Sequence, residues 1–177
     1  MQDVQVDGVD GLWAGWCHEG AAAELVRSLK YGRKTAAVTV IADRMASAAP
    51  AGPAPDLVTW VPCSPTRRRE RGFDPAELLA RALARRLGLR ARRLLRRLDD
   101  EPQTSRSLSG RLAGPRMAVR GGRSGGLILV VDDVCTTGST LRAAAAALRS
   151  GGAAGVVAAV ATVAPAAPRQ PAALPLP

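Results

Sequence analysis

The segment from Leu127 to Leu141 places the tightest limit on what this chain can fold into. The apolar run Leu127-Ile128-Leu129-Val130-Val131 meets two adjacent carboxylates, Asp132 and Asp133. A loop of Thr136, Thr137, Gly138, Ser139 and Thr140 then opens a helix. A continuous apolar β-type run is buried on both faces, as the strands of a parallel α/β sheet are. Carboxylate oxygens beside a row of backbone N–H groups at a helix N-terminus suit a sugar phosphate. The acids would take vicinal ribose hydroxyls, and the loop would take the phosphate. Two negative charges there would also favour a cationic ribosyl carbon as a leaving group departs. The plainer alternative is a strand end, an Asx turn and Ser139 as a helix N-cap.

The rest of the chain alternates in the same way. Ala22, Leu25, Val26 and Leu29 predict a helix over 19–31, and Val38, Ile41 and Met45 predict a second over 35–48. Residues 57–61 read as a short strand broken at Pro62, and 66–73 as a basic loop. Asp74 as N-cap, Pro75 at the first helical position and Glu77 in the first turn then start a helix that stops at Gly88. Residues 92–98 are compatible with a strand. Residues 99–126 are polar, Gly-rich and aperiodic, as a functional flap or a partly disordered segment is. A helix over 139–150 and a buried strand over 156–163 follow. The expectation is one α/β domain over 1–164, with a central, mostly parallel sheet flanked by helices, and a Pro/Ala-rich disordered tail over 165–177. Ligands of such sheets bind beyond the carboxyl ends of the strands, where Asp132 and Asp133 are expected.

Composition removes several function classes. The three cysteines, Cys17, Cys63 and Cys135, are far apart and form no C-x-x-C pair, so neither a disulfide framework nor a zinc knuckle is indicated. No apolar run reaches the roughly 18 residues of a membrane span, and the first ten residues lack a basic signal-type region. A soluble, cytoplasmic protein without a membrane partner is expected. The net charge of +10 fits a nucleic-acid partner, a surface for polyanionic small molecules, or a compositional bias. Lysine occurs only at Lys30 and Lys34, a bias towards arginine that favours the last two. Arg85, Arg86, Arg92, Arg93, Arg96 and Arg97 read as a solvated face without interleaved aromatic residues. Lys30, Arg33 and Lys34 could reach a bound anion, with cations attracted to a helix C-terminus by its dipole as the plainer reading. Cys135, beside a helix N-terminus, is where a thiol pKa could fall, but His18 lies far away in sequence and no triad is apparent. Trp13, Trp16 and Trp60 are expected in core or lid packing.

The string Val130-Val131-Asp132-Asp133-x-x-Thr136-Thr137-Gly138-Ser139-Thr140-Leu141 resembles the PRPP motif of type I phosphoribosyltransferases. Leu29-Lys30-Tyr31 with Arg33 is similar to the early L-K-Y-x-G-R element of the ComF family, phosphoribosyltransferase-like proteins tied to DNA-uptake competence. Val61-Pro62-x-x-Pro65 and Arg69-Glu70-Arg71-Gly72-Phe73-Asp74 are similar to that family's V-P-x-x-P and R-E-R-G-F-N elements. The resemblance implies a type I phosphoribosyltransferase fold with a flexible flap. It implies binding of PRPP or a ribose 5-phosphate compound, with Mg²⁺ held through PRPP and not directly by the protein. Pyrophosphate would be displaced at the anomeric carbon. Asp132 and Asp133 would be the catalytic residues on the ribose 2′ and 3′ hydroxyls, with Thr136, Thr137, Gly138, Ser139 and Thr140 on the 5′-phosphate. Ser64, Arg67, Arg69 and Arg71 would hold pyrophosphate.

The chain departs from that pattern at several points. The family's frequent N-terminal zinc ribbon is absent, and Ser64 and Asp74 stand where His and Asn are frequent. Gln103, Thr104, Leu108 and Arg111 lie out of the flap's register, with Gly114 in place of Asn. Two alternatives stay open: a non-catalytic PRPP or nucleotide sensor, and a DNA-uptake accessory protein contacting DNA through its basic face. Assembly as a homo-oligomer is open as well.

Overall fold

The computed structural model describes residues 5–31, 35–98, 114–121 and 125–164. In chain order these form β1 (Gly11–Cys17), α1 (Gly20–Tyr31), α2 (Thr35–Ser47), β2 (Leu57–Trp60), α3 (Pro65–Arg71) and α4 (Pro75–Leu87). There follow β3 (Leu95–Arg97), β4 (Met117–Val119), β5 (Leu127–Cys135), α5 (Ser139–Ser150) and β6 (Gly155–Val163). Strands β1, β6, β5 and β2 form one sheet in that order, with every neighbouring pair parallel. The expected α/β architecture is therefore present.

The two-residue period of a strand sorts the apolar runs onto two faces. Ile128, Val130, Val156, Ala158 and Val160 meet Leu141, Ala144, Ala145 and Leu148 of α5. Leu129, Val131, Ala159 and Ala161 face the other way, against Val26 and Leu29 of α1, Ile41 and Met45 of α2, and Leu79 and Leu83 of α4. Trp13 and Trp60 belong to this second core, so the expected packing role holds for both. Trp13 Nε1 donates to the Met45 carbonyl at 3.1 Å, and the Arg81 guanidinium lies 5.4 Å from the Trp60 ring centroid. Trp60 Nε1 is buried without a partner.

Three sequence expectations change. The basic stretch read as a loop over 66–73 is mostly helix α3, begun by the Ser64 hydroxyl accepting from Arg67 N–H at 3.3 Å. It buries no residue and so leaves no apolar periodicity to read. Within the aperiodic 99–126 stretch, Met117–Val119 pairs antiparallel with β3. Strand β1, which its glycines and polar flanks hid from the sequence pattern, adds an edge strand through Gly11↔Val157 to Cys17↔Val163. The expected flap tip at 99–113, the tail at 165–177, and Arg33 and Lys34 lie outside the described residues.

The helix start at Asp74 matches its reading. Asp74 is 3% exposed, and its Oδ1 accepts from the N–H groups of Ala76 and Glu77. Its Oδ2 also accepts from Cys63 N–H at 2.9 Å, which ties the turn after β2 to α4.

Leu129 is fully buried between two other strands and the helices of the second core. Leu129→Ala should destabilise the protein by about 2–5 kcal/mol, while Val40→Ala, on an exposed side chain, should stay within about 0.5 kcal/mol. Urea unfolding of the two variants checks this.

Candidate functional site

The groove begins where pairing is lost between β2 and β5. Leu57–Trp60 pairs residue by residue with Ile128–Val131, and Val61 N–H donates once more to the Val131 carbonyl. Pro62 follows, with no N–H to give. On its other side β5 goes on pairing with β6, through Asp132↔Val160, Val134↔Thr162 and Cys135↔Val163. The carboxylates therefore sit within β5, not just after it, because β6 supports the strand for four residues beyond Val131. With β2 ended, the Asp133 N–H is taken by the neighbouring Asp132 Oδ1 at 2.8 Å.

A groove of about 390 Å³ occupies this step, at the carboxyl ends of the strands. It is bordered by Asp132, Asp133, Thr136 and Thr140 on one side and by Pro62, Cys63, Arg67 and Arg71 on the other. Of the carboxylates, loop residues and arginines singled out from sequence, these six converge. Ser64, Arg69, Thr137, Gly138 and Ser139 do not border the groove. The Ser64 hydroxyl caps α3, and Arg69 is exposed on that helix. Thr137 Oγ1 donates to Ser139 Oγ at 3.2 Å and accepts from Ser139 N–H, bracing the loop from within. Gly138, and not Ser139, is the N-cap of α5. It has φ +72°, and a Cβ there would stand 2.7 Å from a methyl of Val6, so both the conformation and the space require glycine. As N-cap, Gly138 offers no side chain to α5, so of the first-turn N–H groups only that of Ser139 is taken up by a side chain, Thr137.

Lys30, for which a bound anion is one of two readings, lines the groove, and Arg97 and His18 were missed in sequence. Lys30 Nζ lies 3.0 Å from Asp133 Oδ2, so it is a site residue as well as a cation ending α1. Arg97, read as part of a solvated face, borders the groove and donates through Nε to the Pro62 carbonyl at 2.9 Å. His18 also borders it, with Nδ1 2.7 Å from Thr162 Oγ1. Lys30 alone carried a local signal, its place in the L-K-Y element; Arg97 and His18 arrive through strand pairing. Among the described residues, no group of three His, Cys, Asp or Glu side chains could hold a metal ion. None of the described helices is long and apolar enough to cross a membrane.

The electrostatics are divided. Burial pushes the Asp132 carboxyl well above the ordinary carboxylate range, and the Asp133 charge adds to this. The Asp133 N–H and Lys30 oppose the rise without cancelling it. Burial, together with Asp132, also raises the Cys135 thiol, so the lowered thiol pKa suggested by its place near a helix N-terminus does not occur. Cys63 is raised to about 11 by burial and by Asp74. Neither thiol is an activated nucleophile. Asp132 and Asp133 both reach the groove. Four cationic side chains border the groove with three carboxylates, of which Asp74 is taken up by backbone N–H groups; such a set suits a ligand with anionic ends and a hydroxylated middle.

The fold is thus an α/β one with a groove at the carboxyl edge of a parallel sheet, the place where such sheets bind ligands. The chain belongs to the phosphoribosyl transferase domain family, whose model matches residues 71–174. Among solved structures, the chain is similar to glutamine phosphoribosylpyrophosphate (PRPP) amidotransferase from B. subtilis, complexed with ADP and GMP. That match has 21% identity and a TM-score of 0.54, covering 76% of this chain and 30% of the other. An allosteric regulatory enzyme of purine biosynthesis matches at 20% identity and a TM-score of 0.50, over the same shares of the two chains. A purine phosphoribosyltransferase from Pyrococcus horikoshii Ot3 matches at 16% identity and a TM-score of 0.45, covering 84% of this chain and 80% of that one. The chain thus spans 30% of the length of each of the first two. No curated protein sequence matches it.

The raised Asp132 pKa has a pH signature. Above the ordinary carboxylate value of 3.8 the unfolded chain has lost this proton while the folded protein keeps it. Stability from this group is thus full at low pH and falls as pH rises through the folded pKa. Asp132→Asn removes that loss. Thermal melts should show the variant gaining on wild type between pH 4 and pH 8, and a pH-independent difference would contradict the assignment.

Proposed function

We propose that the chain is a ComF-like phosphoribosyltransferase that binds PRPP, a ribose 5-phosphate carrying pyrophosphate at its anomeric carbon. The observation that carries this reading is the convergence of three elements on one groove: the β5 carboxylates, Thr136 and Thr140 around the start of α5, and Arg67 and Arg71 of α3. The loop takes the 5′-phosphate on backbone N–H groups and hydroxyls. Asp132 and Asp133 accept hydrogen bonds from the ribose 2′ and 3′ hydroxyls. A carboxylate has about four acceptor sites, so Asp133 can hold Lys30 and a hydroxyl together. Arg67 and Arg71 face the pyrophosphate, with Arg97 reaching the same side. Ser64 supports this end by capping α3.

In the reaction an acceptor's lone pair forms a bond to C1 as the C1–O bond breaks and its electrons leave on pyrophosphate. The carboxylates stabilise the positive charge that develops on the ribose. Mg²⁺ would come carried by PRPP, since Mg²⁺ is commonly held by substrate phosphates. When bound it would neutralise charge on the departing pyrophosphate.

A non-catalytic PRPP sensor is the second reading, and Gly114 favours it. This residue has φ +71°, and a Cβ there would lie 2.7 Å from the Ser139 carbonyl oxygen. A side chain such as the family's Asn does not fit where the flap stem meets the start of α5. Pyrophosphate release from PRPP with a panel of bases and amines separates the two readings. A DNA-contacting role has less support, because Arg86 pairs with Asp43 and Arg97 turns to the groove, which interrupts the arginine stripe.

Calorimetric titration with PRPP and Mg²⁺ tests the reading. Wild type should bind. Asp132→Asn or Asp133→Asn should weaken binding about 10- to 100-fold, the loss expected for hydrogen bonds to a charged group. No binding by wild type, or unchanged affinity in both variants, would refute it.

A further inference from the structure

Resting on the reading of the groove as a PRPP site, we infer that His18 is the residue that meets the acceptor. The sheet edge supplies the directions. Its strands run β2, β5, β6, β1, so the turn that would hold pyrophosphate stands at one end and His18, just after β1, at the other. The ribose carboxylates lie between them on β5. At a strand spacing of about 4.8 Å, His18 stands about 10 Å from β5 on the side away from β2. Displacement at C1 brings the incoming group in from the side opposite the departing one. With pyrophosphate over β2, that side is over β6 and β1.

The side chain is built for contact there. His18 N–H donates to the Val163 carbonyl at 2.7 Å, which fixes its backbone to the end of β6. Its Nδ1 is 2.7 Å from Oγ1 of Thr162, a wholly buried, β-branched residue on that strand. One ring nitrogen is thereby anchored, and Nε2 is the one left for a ligand. The groove wall near His18 also includes Val134, so the acceptor would meet one hydrogen-bonding nitrogen beside an apolar surface. A planar nitrogen base carrying an N–H or a ring lone pair has that chemistry.

His18 is the only histidine in the chain, so ¹³C-histidine labelling gives a single imidazole Cε1–H signal. The full chain is titrated separately with pyrophosphate, with PRPP and Mg²⁺, and with AMP, GMP and UMP, calorimetry reporting whether each binds. At least one nucleotide should move the signal strongly, because its base sits on C1 where the acceptor would be, while pyrophosphate should leave it nearly still. His18→Gln should weaken that nucleotide at least fivefold more than it weakens PRPP. Nucleotides that bind without moving the signal would overturn the inference. A groove that binds PRPP but no nucleotide would also overturn it, since it would lack the acceptor space that His18 borders. Failure of PRPP itself to bind would overturn the PRPP reading and this inference together.

Discussion

Pro62 lacks the N–H that would carry the pairing of β2 and β5 further, while β6 supports β5 as far as Cys135. The groove is the space created by that mismatch. One neighbour of Asp132 and Asp133 has ended and the other has not, so their carboxyl groups are held by a buried strand yet open on one side. The other site elements attach to the same step. The turn that leaves β2 delivers α3, Asp74 fastens that turn to α4, and the 136–140 loop leaves β5 immediately beyond the acids. Changes in the sheet at Trp60 or Val131 would therefore move both ends of the groove.

Holding two adjacent acids in a sheet has an electrostatic cost. Asp132 is driven towards its protonated form by burial and by Asp133, and Lys30 relieves only part of this. Such groups weaken the folded state in isolation and become useful when a ligand supplies hydrogen-bond donors to them. The arginines of α3 stand in the opposite situation. They lie on a helix that buries nothing, so their charges cost little until an anion arrives.

Most of the sheet was legible because its inner strands are continuous apolar runs. Leu127–Val131 and 156–163 could not be solvated on either face, and the caps at Asp74 and Gly88 announced α4. The 132–140 string was legible because strand, acids and loop are contiguous. What stayed hidden depends on partners distant in sequence. β1 is a strand because β6 pairs with it, and the glycines and tryptophans of its sequence give no alternation. α3 has only arginines and caps to mark it. Arg97 and His18 reach the groove through elements 35 and 144 residues away from the groups they bond, Pro62 and Thr162. No local pattern encodes such contacts.

The claim on which the account turns is that one ribose phosphate spans this step in the sheet. A crystal structure of the protein with PRPP and Mg²⁺ tests it most directly. The account predicts the 5′-phosphate within hydrogen-bond reach of the backbone N–H groups of 136–140, the ribose hydroxyls on Asp132 and Asp133, and pyrophosphate towards Arg67 and Arg71. A ligand bound elsewhere, or bound with its phosphate away from the start of α5, would contradict it.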